Sequence, residues 1–112
     1  MAESFNRASV ALSTNTITDV YQAPNNAAAD RAILLSCMVA NVDGTNSCNV
    51  TIAITDSSDT EIAKLANTIA VPADATLEVI ANKVILKQGE KIRATASAAD
   101  DLHVTVSALE IT

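Results

Sequence analysis

Val84-Ile85-Leu86-Lys87-Gln88-Gly89-Glu90-Lys91-Ile92-Arg93-Ala94-Thr95-Ala96 reads as two short strands joined by a turn, and that reading decides the fold. Apolar Ile92, Ala94 and Ala96 alternate with polar Arg93 and Thr95, the period of two expected of a strand with one buried face. Gly89 marks the turn. Upstream, Val71-Pro72-Ala73-Asp74-Ala75 is a second turn, leading into the strand Thr76-Leu77-Glu78-Val79-Ile80. Downstream, Leu102, Val104, Val106 and Ala108 share one face of a final strand, while Leu109 and Ile111 carry the opposite parity. A bulge near Ala108-Leu109 is expected to return them to the core.

The N-terminal half follows the same pattern. Thr16-Ile17-Thr18-Asp19-Val20-Tyr21 is rich in β-branched residues and stops at Pro24. Ala32 to Val39 is apolar on both parities, which suits a central strand covered on both faces, with a helix as the alternative. Asn41-Val42-Asp43-Gly44-Thr45-Asn46 is a strong turn signal, beyond which Cys48, Val50, Ile52 and Ile54 alternate with polar or small residues. The two runs are expected to form a hairpin. Asp56-Ser57-Ser58-Asp59 supplies another turn, and Thr60 to Ala70 is a strand broken near Asn67. A helix is the competing reading for the Ala-rich run Ala94 to Leu102. That run is short, and its Thr, Val and Ser neighbours favour strand or turn.

These elements define an all-β chain: a single β-sandwich, jelly-roll or Ig-like, of about seven or eight strands with an extended N-terminal arm. Residues 1–15 are polar and weakly patterned and form the arm, whose one large apolar side chain is Phe5; residues 16–112 form the domain. With 112 residues there is room for one core. That core is thin in large side chains, because 49% of the residues are hydrophobic but only 2% aromatic, leaving Val, Ile, Leu and Ala to fill it. Small side chains remove little apolar surface each, so burial between subunits would add useful stability.

The net charge of -6, with no basic cluster, disfavours direct nucleic-acid binding, which rests on Lys and Arg neutralising phosphates. No apolar run approaches the roughly 20 residues of a membrane-spanning helix. Met1-Ala2-Glu3-Ser4-Phe5-Asn6-Arg7 lacks the pattern of a secretory signal, so the chain is expected to be kept inside a cell or released by lysis. In the hairpin register Cys37 falls opposite Ile52 and not opposite Cys48, so both thiols are expected free and buried.

Catalytic chemistry is thinly represented. The one neutral-pH base, His103, lies between Leu102 and Val104 on a strand whose apolar positions are even, and should point away from the core. Asp56, Asp59 and Glu61 lack the spacing and glycine of a calcium loop and read as a solvated turn, as does Asp100-Asp101. Two Cys and one His are too few for a zinc site. Gly44 and Gly89 are isolated turn glycines, not a phosphate loop. Carbohydrate recognition would need exposed aromatics, and only Phe5 and Tyr21 are available. The sequence therefore predicts no enzyme, no metal and no cofactor.

Val39-Ala40-Asn41-Val42-Asp43-Gly44-Thr45-Asn46, Val71-Pro72-Ala73-Asp74-Ala75-Thr76-Leu77, the Val84 to Ala96 segment and the ending Ser107-Ala108-Leu109-Glu110-Ile111-Thr112 together resemble small virion structural proteins of tailed bacteriophages and prophages. The likeness runs from about Thr16 onward and rests on fold-type signatures. It implies a non-enzymatic building block assembled in the bacterial host cytoplasm, foremost a capsid decoration or cement protein. Such a protein would bind the major capsid protein or other virion proteins; the core poor in large side chains suggests a trimer or dimer, with a monomer stabilised only on its partner equally allowed. It also implies that Phe5 and Arg7 of the arm, with exposed loops, are the partner contacts. The rivals are a phage neck or tail component and a carbohydrate-binding module on a host-attachment structure.

Overall fold

The computed structural model describes residues 2–112, and among them every regular element is a β-strand. In chain order these are β1 (Glu3–Ala11), β2 (Thr18–Gln22), β3 (Arg31–Asn41), β4 (Cys48–Thr55), β5 (Glu61–Val71), β6 (Thr76–Glu78), β7 (Val84–Leu86), β8 (Lys91–Ala96) and β9 (Leu102–Ile111). They make two antiparallel sheets packed face to face. The first runs β1-β9-β3 and ends on β6 and β7, which pair with successive parts of β3; the second runs β2-β8-β4-β5. Consecutive strands mostly alternate between sheets, so the sandwich is a jelly roll and not the Ig-like alternative. The expected seven or eight strands become nine because one jelly-roll position is split into β6 and β7.

Alternate residues of each strand meet between the sheets. Leu34, Cys37, Val39, Leu102, Val104 and Val106 come from the first sheet, and Val50, Ile52, Ile92 and Ala94 from the second, all fully or almost fully buried. The Lys87 to Glu90 turn is formed as expected, closed by the Glu90 amide donating to the Lys87 carbonyl. Gly89 has φ +70, a conformation open to glycine, and a Cβ there would lie 2.8 Å from the Asn25 side chain.

Four expectations are corrected. The hairpin between the runs around Cys37 and Cys48 does not form, because β3 and β4 lie in different sheets. The Asn41 to Asn46 turn carries the chain across the sandwich instead. The buried Asn41 side chain holds this crossing by donating to the carbonyls of Asn46 at 3.0 Å and Val71 at 2.9 Å. Both thiols are free and buried as expected, but Cys37 pairs with Val106 and Cys48 with Val71.

β3 is central yet covered on one face only: Leu35 and Met38 are exposed on the other. The expected bulge lies on β3, between Leu34 and Ser36 and opposite Ala108 and Ser107, and not on β9 itself. β9 keeps strict alternation, because the core-parity position 110 is occupied by a glutamate with partners of its own. Leu109 and Ile111 therefore stay on the outer face. Finally, the arm expected over residues 1–15 is, from Glu3 to Ala11, an edge strand paired with β9 residue for residue. A weak apolar pattern misleads here because the ladder's backbone hydrogen bonds, not side-chain burial, order an edge strand. The break expected near Asn67 is present as a register shift in β5, with Thr68 at φ +54.

Candidate interaction surface

The outward side chains of the first sheet concentrate apolar groups at one end. The register sets Phe5 opposite Leu109, Leu109 opposite Ile33, and Ile33 opposite Ile85, so one line of side chains crosses the whole sheet. Phe5 is 77% exposed and Ile85 64% exposed, with Leu109 and Ile33 half-buried between them. Ile111 and Leu35 extend the patch along β9 and β3. Exposed apolar groups gathered in this way mark interaction surfaces, whereas scattered ones need no explanation.

Charges flank the line. Glu3 and Arg31 sit on either side of Ile111, and Arg7 lies beyond Phe5 on the same face of β1, opposite Ser107. Among the described residues neither Glu3 nor Arg7 takes part in an ion pair. Phe5 and Arg7, the two contact residues the resemblance implied, are thus brought together with three apolar residues that sequence reasoning missed: Leu109, Ile33 and Ile85. The signal for Leu109 was visible in its opposite parity, which was assigned to a bulge.

Beneath Phe5, Glu110 ties three strands together. It accepts hydrogen bonds from the Asn6 side-chain amide at 2.6 Å and from the Tyr21 hydroxyl at 2.5 Å. Burial, then the bond to Glu110 and its negative charge, raises the Tyr21 phenol above its ordinary range. The aromatic ring of Tyr21 packs against the core, and its polar tip is occupied.

Groups with catalytic potential are dispersed. His103 is exposed on the outer face between Ala11 and Ala40. Burial, reinforced by the nearby Glu78 charge, pushes the Cys37 thiol up to about 12, so it stays protonated and unreactive at neutral pH. Asp56 accepts from the backbone amides of Ser58 and Thr60 within its turn, and Asp59 pairs with Lys91 of β8. Asp100 lies in a turn with φ +68. Among the described residues there is no cavity, no grouping of side chains fit to hold a metal ion, and no helix long and apolar enough to cross a membrane.

No protein-family model matches the chain, and no curated protein matches it. Solved structures do. A structure described as the acidic stable capsid of Helicobacter pylori bacteriophage KHP30 superposes with TM-score 0.61 at 12% identity, covering 100% of this chain and 89% of the other. Bacillus endospore appendages, described as disulfide-linked pili, give TM-score 0.60 at 16% identity over 99% of this chain and 87% of theirs. The T13 particle of infectious bursal disease virus gives TM-score 0.58 at 6% identity, over 97% of this chain but 31% of that one. At such identities the likeness establishes a shared all-β fold.

Proposed function

We propose that the chain is a non-enzymatic structural protein of a bacteriophage virion, specifically a capsid decoration or cement protein that binds the major capsid protein and stabilises the shell. The observation that carries this reading is the line Phe5, Leu109, Ile33 and Ile85 on a jelly roll that has no cleft among its described residues: this surface is suited to contact with another protein. The structures it resembles are described as a phage capsid, a viral particle and pili, all repeating assemblies. Many identical weak contacts stabilise such a shell by multivalency. Phe5 and Arg7, on β1 at the edge of the first sheet, are the contact residues in this proposal.

A phage neck or tail component shares every one of these features and differs only in copy number. A carbohydrate-binding module is disfavoured, because Tyr21 is engaged by Glu110 and Phe5 alone cannot form a multi-ring platform. Quantitative mass spectrometry of purified particles decides between them. The expected result is a ratio to the major capsid protein near one or a simple fraction of it. A few copies to a few tens per particle would transfer the chain to the neck or tail, and absence would remove the virion reading.

A further inference from the structure

The sandwich has four sheet edges, and three of them are blunted. β2 carries a register shift between Asp19 and Tyr21 and runs into Pro24. β5 carries several shifts and the positive φ of Thr68. The far edge of the first sheet is broken into the three-residue strands β6 and β7. Bulges, interruptions and prolines are how proteins protect edges from pairing with another chain. β1 has none of these devices: its nine residues pair with β9 without a shift.

Its hydrogen-bonding parity is fixed. Ala2 and Thr112 exchange both backbone bonds, and the Leu12 amide donates to the Leu102 carbonyl. With the observed register, the even residues of β1 therefore bond to β9. The amides and carbonyls of Glu3, Phe5, Arg7 and Ser9 point to the free edge.

We infer that this edge binds a second copy of the chain, β1 to β1 and antiparallel, about a two-fold axis at Phe5. Three features select that partner and register. Glu3 of each copy falls opposite Arg7 of the other, so the unpaired charges on the strand are complementary to themselves. Phe5 falls opposite Phe5, forming an aromatic pair at the axis. The line from Ile85 through Ile33 and Leu109 to Phe5 then continues unbroken across both copies. An axis at Arg7 would instead oppose like charges, which is destabilising. A surface that meets itself in this way is what a two-fold interface requires. The Phe5-centred register forms hydrogen-bonded pairs at Glu3, Phe5 and Arg7, about six backbone bonds in all.

This deepens the building-block reading by naming a partner for β1, and it rests on that reading only in treating the chain as one subunit of an assembly. The test is made with the isolated full chain, so its failure is separate from failure of attachment to a shell. Sedimentation velocity over a concentration series at low salt is expected to show a monomer–dimer equilibrium. Phe5→Pro removes a donor from the free edge while leaving the bonds to β9, and should give monomer. Glu3→Arg and Arg7→Glu should each weaken association at least about fivefold, and combining them should restore it, because the opposite charges are again opposed. Independently of folding effects in those variants, Phe5→Cys should crosslink two chains on mild oxidation, since hydrogen-bonded antiparallel pairs lie about 5.5 Å apart, within disulfide reach. Ser9→Cys should not. A chain that stays monomeric to its solubility limit, a combined variant no better than either single one, or crosslinking at Ser9→Cys instead of Phe5→Cys would overturn the inference.

Discussion

Lys91 and Arg93 lie across the outer face of the second sheet, whereas the matching region of the first sheet is bare of charge along the line from Phe5 to Ile85. Arg93 reaches Asp19 at 2.6 Å, and Lys91 bridges Asp59 at 2.8 Å and Asp19 at 3.3 Å. Ala53 and Thr55, the strand neighbours of these cations on β4, are only 3% and 1% exposed although they face outward. Long basic side chains cover apolar surface with their stems and keep their charges wet. The part of that face around Ala53 and Thr55 is thus covered by its own residues. The outer line of the first sheet leaves apolar groups in water, and burial against a partner lowers that cost.

The largest effect expected is a difference between adjacent residues of β3. Leu34 is fully buried between the sheets, while Ile33 stands in the outer line. Leu34→Ala should lower unfolding free energy by about 2–5 kcal/mol, the sum of lost transfer energy and a residual cavity. Ile33→Ser should stay within about 1 kcal/mol for the monomer. Denaturant unfolding at concentrations below association measures both. Comparable losses at the two positions would break the comparison, because they would mean that the outer line is already packed within one chain.

Much of this was legible in the sequence. Alternation in the Lys91 to Ala96 run, the Gly89 turn and the outward His103 follow from a period of two, which is a local property. The errors share a cause, namely that sheet membership is not local. A turn such as Asn41 to Asn46 looks the same whether it closes a hairpin or crosses a sandwich. Likewise, the parity change at Leu109 admits a bulge or a change of burial, and only the partners of Glu110, Asn6 and Tyr21 show which. β1 was missed because an edge strand needs no apolar stripe. The outer line itself is invisible without register, since its members come from four strands far apart in sequence.

The inner face of the first sheet gives a pH test of how tightly it excludes charge. With the Cys37 thiol raised from 9.0 to about 12, the unfolded chain loses this proton first as pH rises. Between those values the folded state binds more protons than the unfolded one, so stability falls with pH, by up to about 1.4 kcal/mol per unit. Tyr21, raised in the same direction, contributes the same sign at higher pH. Cys37→Ala should flatten the alkaline slope between pH 9 and the ordinary tyrosine range, whatever it does to stability at neutral pH. An unchanged slope would show that water reaches the thiol and that the core is looser than the outer face suggests.

The smallest effect expected belongs to the charged cover of the second sheet. The hydrogen bond from Lys91, with the Arg93 charge, holds Asp59 below the usual carboxylate value, and Asp59 in turn raises Lys91. A lowered carboxyl makes the folded state bind fewer protons, so its contribution is present above about pH 4 and lost as pH falls further. Asp59→Asn should therefore shallow the acid limb of the stability profile and move the thermal midpoint less than Leu34→Ala does, with the shift shrinking further in high salt. Association through β1 should not change. The comparison would sharpen if Asp59→Asn instead made the protein associate through the second sheet. Loosened Lys91 and Arg93 would then uncover Ala53 and Thr55, and the two faces would differ only in whether charged stems lie across them.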